Sequence, residues 1–142
     1  MRRGGMPSSP KICVAGAGAI GGTLAARLAA GGLKVSVFAR GATLAAISRR
    51  GIELTDLSGS AQVKVQVSDQ AEFGIQDIVF VCAKAHALAG LVASIEPMLG
   101  EETLVVPAVN GVPWWFFGGQ CGGLDGESIC AVDLRTTQRA LR

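Results

Sequence analysis

The residues with the clearest chemical meaning form a glycine-rich loop near the start of the chain. The loop follows a short apolar run and precedes a segment with helical periodicity, and its members are Gly16, Ala17, Gly18, Ala19, Ile20 and Gly21. Glycines with this spacing, between a strand and a helix, are typical of dinucleotide-binding domains. The first permits a tight turn, the second lets the backbone approach a pyrophosphate, and the third lets helix and strand pack closely. We therefore predict that residues 16–21 bind the pyrophosphate of a dinucleotide.

The second chemical signal is an arginine at the end of the next strand-like run. NAD sites usually place an acidic residue about 20 residues after the glycine loop, whereas NADP sites place an arginine nearby. Here Arg40 follows the run Val35–Phe38, and no acidic residue precedes Glu53. A guanidinium can hold a 2′-phosphate through two parallel hydrogen bonds. The sequence thus predicts NADP as the cofactor, with a solvated loop cation as the alternative role of Arg40.

A lysine and a histidine follow a later apolar run. Lys84 comes just after Asp77–Cys82, interrupts an otherwise apolar stretch and is the last lysine of the chain. Ligands of open α/β sheets bind beyond the carboxyl ends of the strands. Lys84 is therefore either an anion contact or a solvated cation at the end of a strand. We interpret His86 as a helix-start residue rather than a general acid.

Composition narrows the class of protein. The chain has 142 residues, of which 49% are hydrophobic and 17% charged, which suits one domain with a real core and is too apolar for intrinsic disorder. Residues 12–132 hold seven basic and ten acidic side chains, a net charge of −3, so we expect no nucleic-acid partner. The four cysteines lack C-x-x-C spacing and the histidine is single, so we expect no metal site. Four free thiols suit a reducing, cytoplasmic environment.

The start of the chain imitates a secretion signal. Arg2 and Arg3 precede the apolar stretch Ile12–Ala26, but the glycines in that stretch have their own explanation, and Arg27 follows inside the helical segment. No run reaches the ~18 uninterrupted apolar residues of a membrane span. We expect a soluble cytoplasmic protein with no membrane partner and a disordered lead-in over residues 1–10.

Apolar patterning predicts alternating strands and helices. Predicted strands cover Lys11–Ala15, Val35–Phe38, Gly51–Thr55, Val63–Val67, Asp77–Cys82 and Thr103–Val109. The predicted helices have apolar positions at Ile20, Leu24 and Leu28, at Leu44 and Ile47 within Thr43–Arg50, and at Leu88, Leu91, Val92 and Ile95. This alternation predicts an α/β fold: a doubly wound Rossmann-type sheet, mostly parallel, with helices on both faces. The third and fourth strands would be an inserted pair.

Four segments together resemble the ketopantoate reductase (2-dehydropantoate 2-reductase) family. They are GAGAIG at 16–21, VFAR ending at Arg40, VCAKAH around Lys84 and AVNGVPWWF from Ala108. The resemblance implies a dinucleotide-binding domain over residues 11–118, with Arg40 on the 2′-phosphate. It further implies that Lys84 and Asn110 lie by the nicotinamide and the substrate, as cofactor-binding and catalytic residues. The implied reaction is NADPH-dependent reduction of a 2-keto acid, 2-dehydropantoate, to pantoate, in pantothenate and coenzyme A biosynthesis.

The resemblance covers roughly residues 11–118, and the sequence departs from this family beyond them. The resemblance implies a helical second domain with a catalytic lysine and a glutamate for the substrate hydroxyl, yet no lysine follows Lys84. We therefore expect a truncated cofactor domain, an irregular tail over 119–142, a missing helical C-terminal domain and no completed hydride transfer. The alternatives are a stand-alone NADP-binding regulatory module and a non-functional fragment. A homodimer that covers the aromatic cluster Trp114–Phe117 would favour the module.

Overall fold

The computed structural model describes residues 9–57 and 59–109. Its elements, in chain order, are β1 Ile12–Ala15, α1 Ala19–Ala30, β2 Val35–Phe38, α2 Gly41–Arg50, β3 Ile52–Asp56, β4 Gly59–Val63, β5 Gln66–Ser68, β6 Ile78–Val81, α3 Ala85–Ile95 and β7 Leu104–Pro107. A 3-10 turn, Glu96–Met98, follows α3. Most of the lead-in predicted over 1–10 and all of the tail predicted over 119–142 lie outside the described residues.

Five of the strands form one parallel sheet in the order β5-β2-β1-β6-β7. Central strand β1 pairs Ile12 with Val35 of β2 on one side and with Ile78 of β6 on the other. The chain thus builds the sheet outward from β1 in one direction and then, from β6 onward, in the other. Such a reversal of strand order is where open α/β sheets bind ligands. The predicted Rossmann-type fold is confirmed.

Both faces of the sheet are covered, which explains why β1 is apolar throughout. Cys13 and Ala15 pack in the cluster that includes α3, whereas Val14 packs on the opposite face in the cluster that includes α1 and α2. All four residues of β1 are buried, as expected for a central parallel strand covered on both sides. Cys13 is therefore a packing residue, as its apolar surroundings in the sequence indicate.

The two long helices contact the sheet in different ways. α3 uses the predicted positions, and Leu88, Val92 and Ile95 are buried in the core. In α1 the predicted apolar positions face the core only in part: Ile20 is 51% exposed, and the buried residues are Gly21, Ala25 and Ala26. The small residues face the core because α1 approaches the sheet more closely than larger side chains would allow. No helix in the described part of the chain is long and apolar enough to cross a membrane.

The region between α2 and β6 contains the one clear error in the predicted strands. β3 and β4 form an antiparallel hairpin outside the main sheet, and β5 then joins that sheet beside β2. The prediction of a single strand over Val63–Val67 is therefore wrong. Valine alternation could not separate the two strands, because Val63, Val65 and Val67 all pack against the same cluster. An ion pair of 3.0 Å between Arg27 and Asp56 links α1 to the hairpin.

Candidate functional site

Two glycines fix the loop between β1 and α1. Gly16 has φ +94°, and its N–H donates to the carbonyl oxygen of Phe38 at 2.9 Å. A Cβ at Gly16 would collide with the carbonyl oxygen of Cys82, and one at Gly21 would collide with the carbonyl oxygen of Gly16. Both obstacles are backbone atoms, which cannot move aside as the end of a flexible side chain can. Gly16 and Gly21 are therefore required by the packing of strand, loop and helix.

Gly18 has no such packing reason. Its backbone angles, φ −71° and ψ −162°, are open to any residue, and a Cβ there would meet no atom within 4 Å. The described residues leave the space in front of this backbone empty. A glycine at this position also leaves room for a ligand to approach the main chain closely. The loop therefore has the form that a pyrophosphate-binding turn requires.

A cavity of about 440 Å³ opens beside this loop, beyond the carboxyl ends of β1, β2 and β6. Its volume lies in the range of small-molecule sites. Four residues predicted from the sequence line it, namely Gly16, Ala17, Gly18 and Arg40. Other parts of its wall come from Phe38, Ala39, Thr43, Ala83, Ala87, Gly90 and Leu91. The wall is thus mostly small and apolar, with a cation on one side.

The electrostatics of this edge favour an anion. Helices α1, α2 and α3 all begin here, with Gly18, Arg40 and Lys84 as their N-caps, and none has an acidic residue in its first turn. A helix N-terminus carries a partial positive charge and backbone N–H groups without helical partners. In α1 the N–H of Gly22 donates to the carbonyl oxygen of Gly18 at 2.7 Å. The backbone N–H groups of the turn before Gly22 therefore come before the hydrogen bonds of the helix. These groups suit the binding of phosphate.

Arg40 lies at the outer end of the cavity, between β2 and α3. Its guanidinium carbon is 5.5 Å from the centre of the Phe38 ring. Its Nη2 donates a hydrogen bond of 2.6 Å to the Oγ of Ser94. A second cavity, of about 640 Å³, adjoins Arg40 on another side and is also lined by Asp69 and Glu72. Arg40 therefore separates a cavity with small, apolar walls from a polar one that contains carboxylates.

Lys84 is close to the first cavity without lining it. It is the N-cap of α3, its side chain is exposed, and the cavity wall is formed by its neighbours Ala83 and Ala87. His86 is exposed in the first turn of α3, at the helix start, as predicted from the sequence.

The other predicted site residues divide into two groups. Ala19 and Ile20 form the start of α1 with exposed side chains and are not part of the cavity wall, so any contact with a ligand there would use their backbone. Asn110 lies outside the described residues. The N–H of Ala108 donates to the carbonyl oxygen of Val81 at 2.8 Å, so the described chain follows β6 as far as that contact.

Ser94 was not predicted as a site residue from the sequence, although its Oγ accepts a hydrogen bond from the Arg40 guanidinium. It is a single serine in an apolar helix, and its Oγ also donates to the carbonyl oxygen of Gly90 at 2.8 Å. The only sequence signal was the pair Gly90 and Ser94, four residues apart and therefore on one helix face.

Burial raises the pKa of the Cys82 thiol beneath the loop. Over residues 9–57 and 59–109, no three His, Cys, Asp or Glu side chains gather as a metal site needs.

The fold and the glycine loop define the class: a Rossmann-type α/β domain with a dinucleotide-type cleft at the switch point of the sheet. A comparison with protein families identifies the family within this class. The profile of the ketopantoate reductase PanE/ApbA family matches residues 12–113. The chain therefore belongs to the ketopantoate reductase (PanE/ApbA) family, which confirms the resemblance found in its sequence.

Individual relatives agree with this assignment. The chain is 46% identical over 125 residues to a 2-dehydropantoate 2-reductase of Mesorhizobium japonicum, a match that covers 87% of this chain and 38% of that protein. A crystal structure of a Ralstonia solanacearum MolK2 protein assigned as a ketopantoate reductase superposes with a TM-score of 0.82 at 43% identity, over 92% of this chain and 41% of the other. A D-mandelate dehydrogenase structure with NADH and anilino(oxo)acetate has a TM-score of 0.67 at 25% identity, over 72% and 34%. The chain thus spans about two fifths of the length of the first two relatives.

Proposed function

We propose that these residues bind NADP(H) for the reduction of a 2-keto acid, with 2-dehydropantoate as the first substrate to test. Family membership supports an oxidoreductase of this type. The observation that carries the proposal is the cavity in which the bare backbone of Gly18 and the guanidinium of Arg40 line the same space. A dinucleotide phosphate needs both an approachable backbone and a cation.

In this proposal the glycine loop and the start of α1 bind the pyrophosphate through backbone N–H groups. Arg40 binds the 2′-phosphate, which it can do bidentately because Ser94 takes only one of the five guanidinium N–H groups. Bound NADPH would supply the hydride for the ketone. Lys84, the N-cap of α3, would stabilise the negative charge that develops on the carbonyl oxygen. The family resemblance implies Asn110 as a further catalytic residue.

The choice between NADP and NAD depends on Arg40. The D-mandelate dehydrogenase structure contains NADH, so a related fold accommodates the non-phosphorylated cofactor, and the discrimination must come from side chains at the adenosine end. In this chain the end of β2 offers a guanidinium and no carboxylate. A charge-assisted hydrogen-bonded pair contributes about 1.5–3 kcal/mol, which corresponds to roughly a 10- to 150-fold preference.

Binding titrations of NADP⁺ and NAD⁺ test the proposal, with calorimetry or the fluorescence of Trp114 and Trp115 as the signal. We expect the protein to prefer NADP⁺, and Arg40→Ala to remove the preference by weakening NADP⁺ alone. Arg49→Ala is the matched control, because Arg49 is exposed in the last turn of α2 and lines neither cavity. Equal affinities in the unmodified protein, or a preference that survives Arg40→Ala, would contradict the proposal.

We further propose that these residues form the cofactor half of the reaction. The family resemblance implies that a proton donor and a substrate-binding glutamate come from a second domain, and the chain spans 38% of the Mesorhizobium japonicum relative. The 142 residues alone should therefore bind NADPH without oxidising it when 2-dehydropantoate is added, as followed by NADPH absorbance. Turnover that disappears in Lys84→Ala would show instead that these residues build a complete site.

A further inference from the structure

We propose that Ser94 is a positioning residue for Arg40 and thereby strengthens the preference for a 2′-phosphorylated cofactor. The inference rests on the proposed function, because it assigns a partner to the residue that would hold the phosphate. Ser94 lies 54 positions after Arg40 in the chain, on α3 rather than on the strand and helix that carry the arginine. The contact therefore joins two elements on opposite sides of the cavity mouth.

The orientation of the Ser94 hydroxyl is fixed by its own helix. Its Oγ donates to the carbonyl oxygen of Gly90 at 2.8 Å, a bond that serines in helices commonly form with the residue four positions earlier. The proton of the hydroxyl is thereby committed, and its lone pairs remain for the Nη2 of Arg40 at 2.6 Å. Ser94 is thus a fixed acceptor and not a second mobile group.

A second contact, with the ring of Phe38, restricts the side chain of Arg40. The guanidinium lies over the Phe38 ring, and Phe38 is buried at the end of β2 with 2% of its surface exposed. A free arginine samples many rotamers, and a ligand must overcome the loss of this freedom when it binds. Two contacts from rigid elements already restrict the rotamers of Arg40, so less freedom is lost on binding.

The adjoining polar cavity gives Ser94 a further role. Asp69 and Glu72 line that cavity together with Arg40 and Ser94, and the Oγ of Ser68 holds the carboxylate of Glu72 at 2.8 Å. If Ser94 is lost, Arg40 is free to turn towards these carboxylates, which compete with a phosphate for the same charge. Ser94 thus gives Arg40 a neutral hydrogen-bond acceptor in a cavity that also contains two carboxylates.

The test compares Ser94→Ala, Ser94→Thr and the control Ser48→Ala, whose serine is exposed on α2 and lines neither cavity. The probes are NADP⁺, NAD⁺ and adenosine 2′,5′-bisphosphate. Ser94→Ala should weaken the two 2′-phosphorylated probes about 3- to 10-fold by loss of preorganisation, with little change for NAD⁺. Threonine can form the same bond to the residue four positions earlier, so Ser94→Thr should restore binding, and Ser48→Ala should change nothing.

A double variant separates positioning from a general structural effect. If Ser94 acts only through Arg40, Ser94→Ala should have no further effect on NADP⁺ binding in an Arg40→Ala background. An equal loss for NADP⁺ and NAD⁺, an unchanged ratio of the two affinities, or a persistent effect in the Arg40→Ala background would each overturn the inference while leaving the proposed function intact. Absence of an NADP⁺ preference in the unmodified protein would be the failure of the proposed function itself.

Discussion

The two ends of the five-stranded sheet are built in opposite ways. At the amino ends of the strands, protein groups bond to one another: the N–H of Lys11 donates to the Asp77 carboxylate at 2.7 Å, and the hydroxyl of Thr103 donates to the carbonyl oxygen of Gln76, also at 2.7 Å. At the carboxyl ends, three helices begin around a cavity lined mostly by small residues. One end is closed by the protein's own polar groups, whereas the other leaves backbone groups for a ligand.

Gln76 joins several segments at the amino end, although its own Oε1 is buried without a hydrogen-bond partner among the described residues. Its side chain is 3% exposed, and its Nε2 donates to the carbonyl oxygens of Phe73 and Gly74. Its backbone N–H donates to the carbonyl oxygen of Met98, so the segment before β6 is joined to the turn after α3. We therefore expect changes at the amino end to lower the stability of the fold and changes at the carboxyl end to lower ligand affinity. Gly16 and Gly21 are exceptions, because packing requires them at the binding end.

The largest expected effect is on the stability of the fold and comes from a substitution at Gly21. A Cβ in Gly21→Ala would collide with the carbonyl oxygen of Gly16, and relief would require α1 to move away from the sheet. We expect the free energy of unfolding to fall by about 3 kcal/mol or more, at the upper end for overpacked positions, as measured by urea unfolding and circular dichroism. NADP⁺ binding should be lost together with the fold.

Gly22→Ala is the matched control for this change, one position further along the same helix. The nearest atom to its added Cβ would be the carbonyl oxygen of Ala17 at 3.7 Å, an ordinary contact. Alanine is favoured over glycine within a helix by about 1 kcal/mol, so this variant should be as stable as the unmodified protein or more so. Equal stability of Gly21→Ala and Gly22→Ala would show that α1 is not packed so closely against the loop.

The next largest expected effect is on dinucleotide affinity, with the stability of the fold unchanged. Gly18→Val places a branched side chain in the space that we assign to the pyrophosphate, while its backbone angles suit valine and no protein atom lies within 4 Å of the Cβ. We expect NADP⁺ and NAD⁺ affinities to fall by roughly 100-fold, or about 2.7 kcal/mol. The urea midpoint should stay near that of the unmodified protein. Unchanged affinity in a folded Gly18→Val protein would mean that the loop does not hold a dinucleotide.

Much of the fold and of the candidate site could be predicted from the sequence. Residue spacing alone placed the glycine loop between β1 and α1 and Arg40 at the end of β2, because these features depend on local backbone geometry. The sequence could not show that Gly18, alone of the three fingerprint glycines, has open space before it, since that depends on the distances between α1, β1 and β6. It also missed the contact between Arg40 and Ser94, which joins residues far apart in the chain.

A smaller effect is expected at the closed end. Thr103→Val removes the acceptor of the Gly100 N–H, at 2.8 Å, and the donor to the carbonyl oxygen of Gln76, but keeps the shape of the side chain. Half-buried groups left without partners should lower the free energy of unfolding by about 2 kcal/mol, with NADP⁺ affinity unchanged in the folded protein. Thr103→Ser keeps the hydroxyl and should lose much less. A loss of affinity in folded Thr103→Val would break the division between the two ends.

The smallest effect belongs to the central strand, which lies between the two ends. Burial raises the pKa of the Cys13 thiol to about 12 from an ordinary 9.0, although a hydrogen bond with the backbone of Phe38 partly opposes this. Between these values the unfolded chain has lost the thiol proton while the folded chain retains it, so unfolding releases a proton. The stabilisation is complete below pH 9 and is lost as the pH rises towards 12.

This linkage gives a slope that can be measured. Above pH 9 the free energy of unfolding should fall by about 1 kcal/mol per pH unit on account of Cys13. Cys13→Ala should be less stable at pH 7, because it leaves a small void in the core, but its stability should fall less steeply between pH 9 and 10.5. Urea unfolding of both proteins across this range isolates the contribution of the thiol, because all other side chains are the same in both. Parallel slopes would mean that water reaches Cys13, and that the centre of the sheet is not sealed between its two ends.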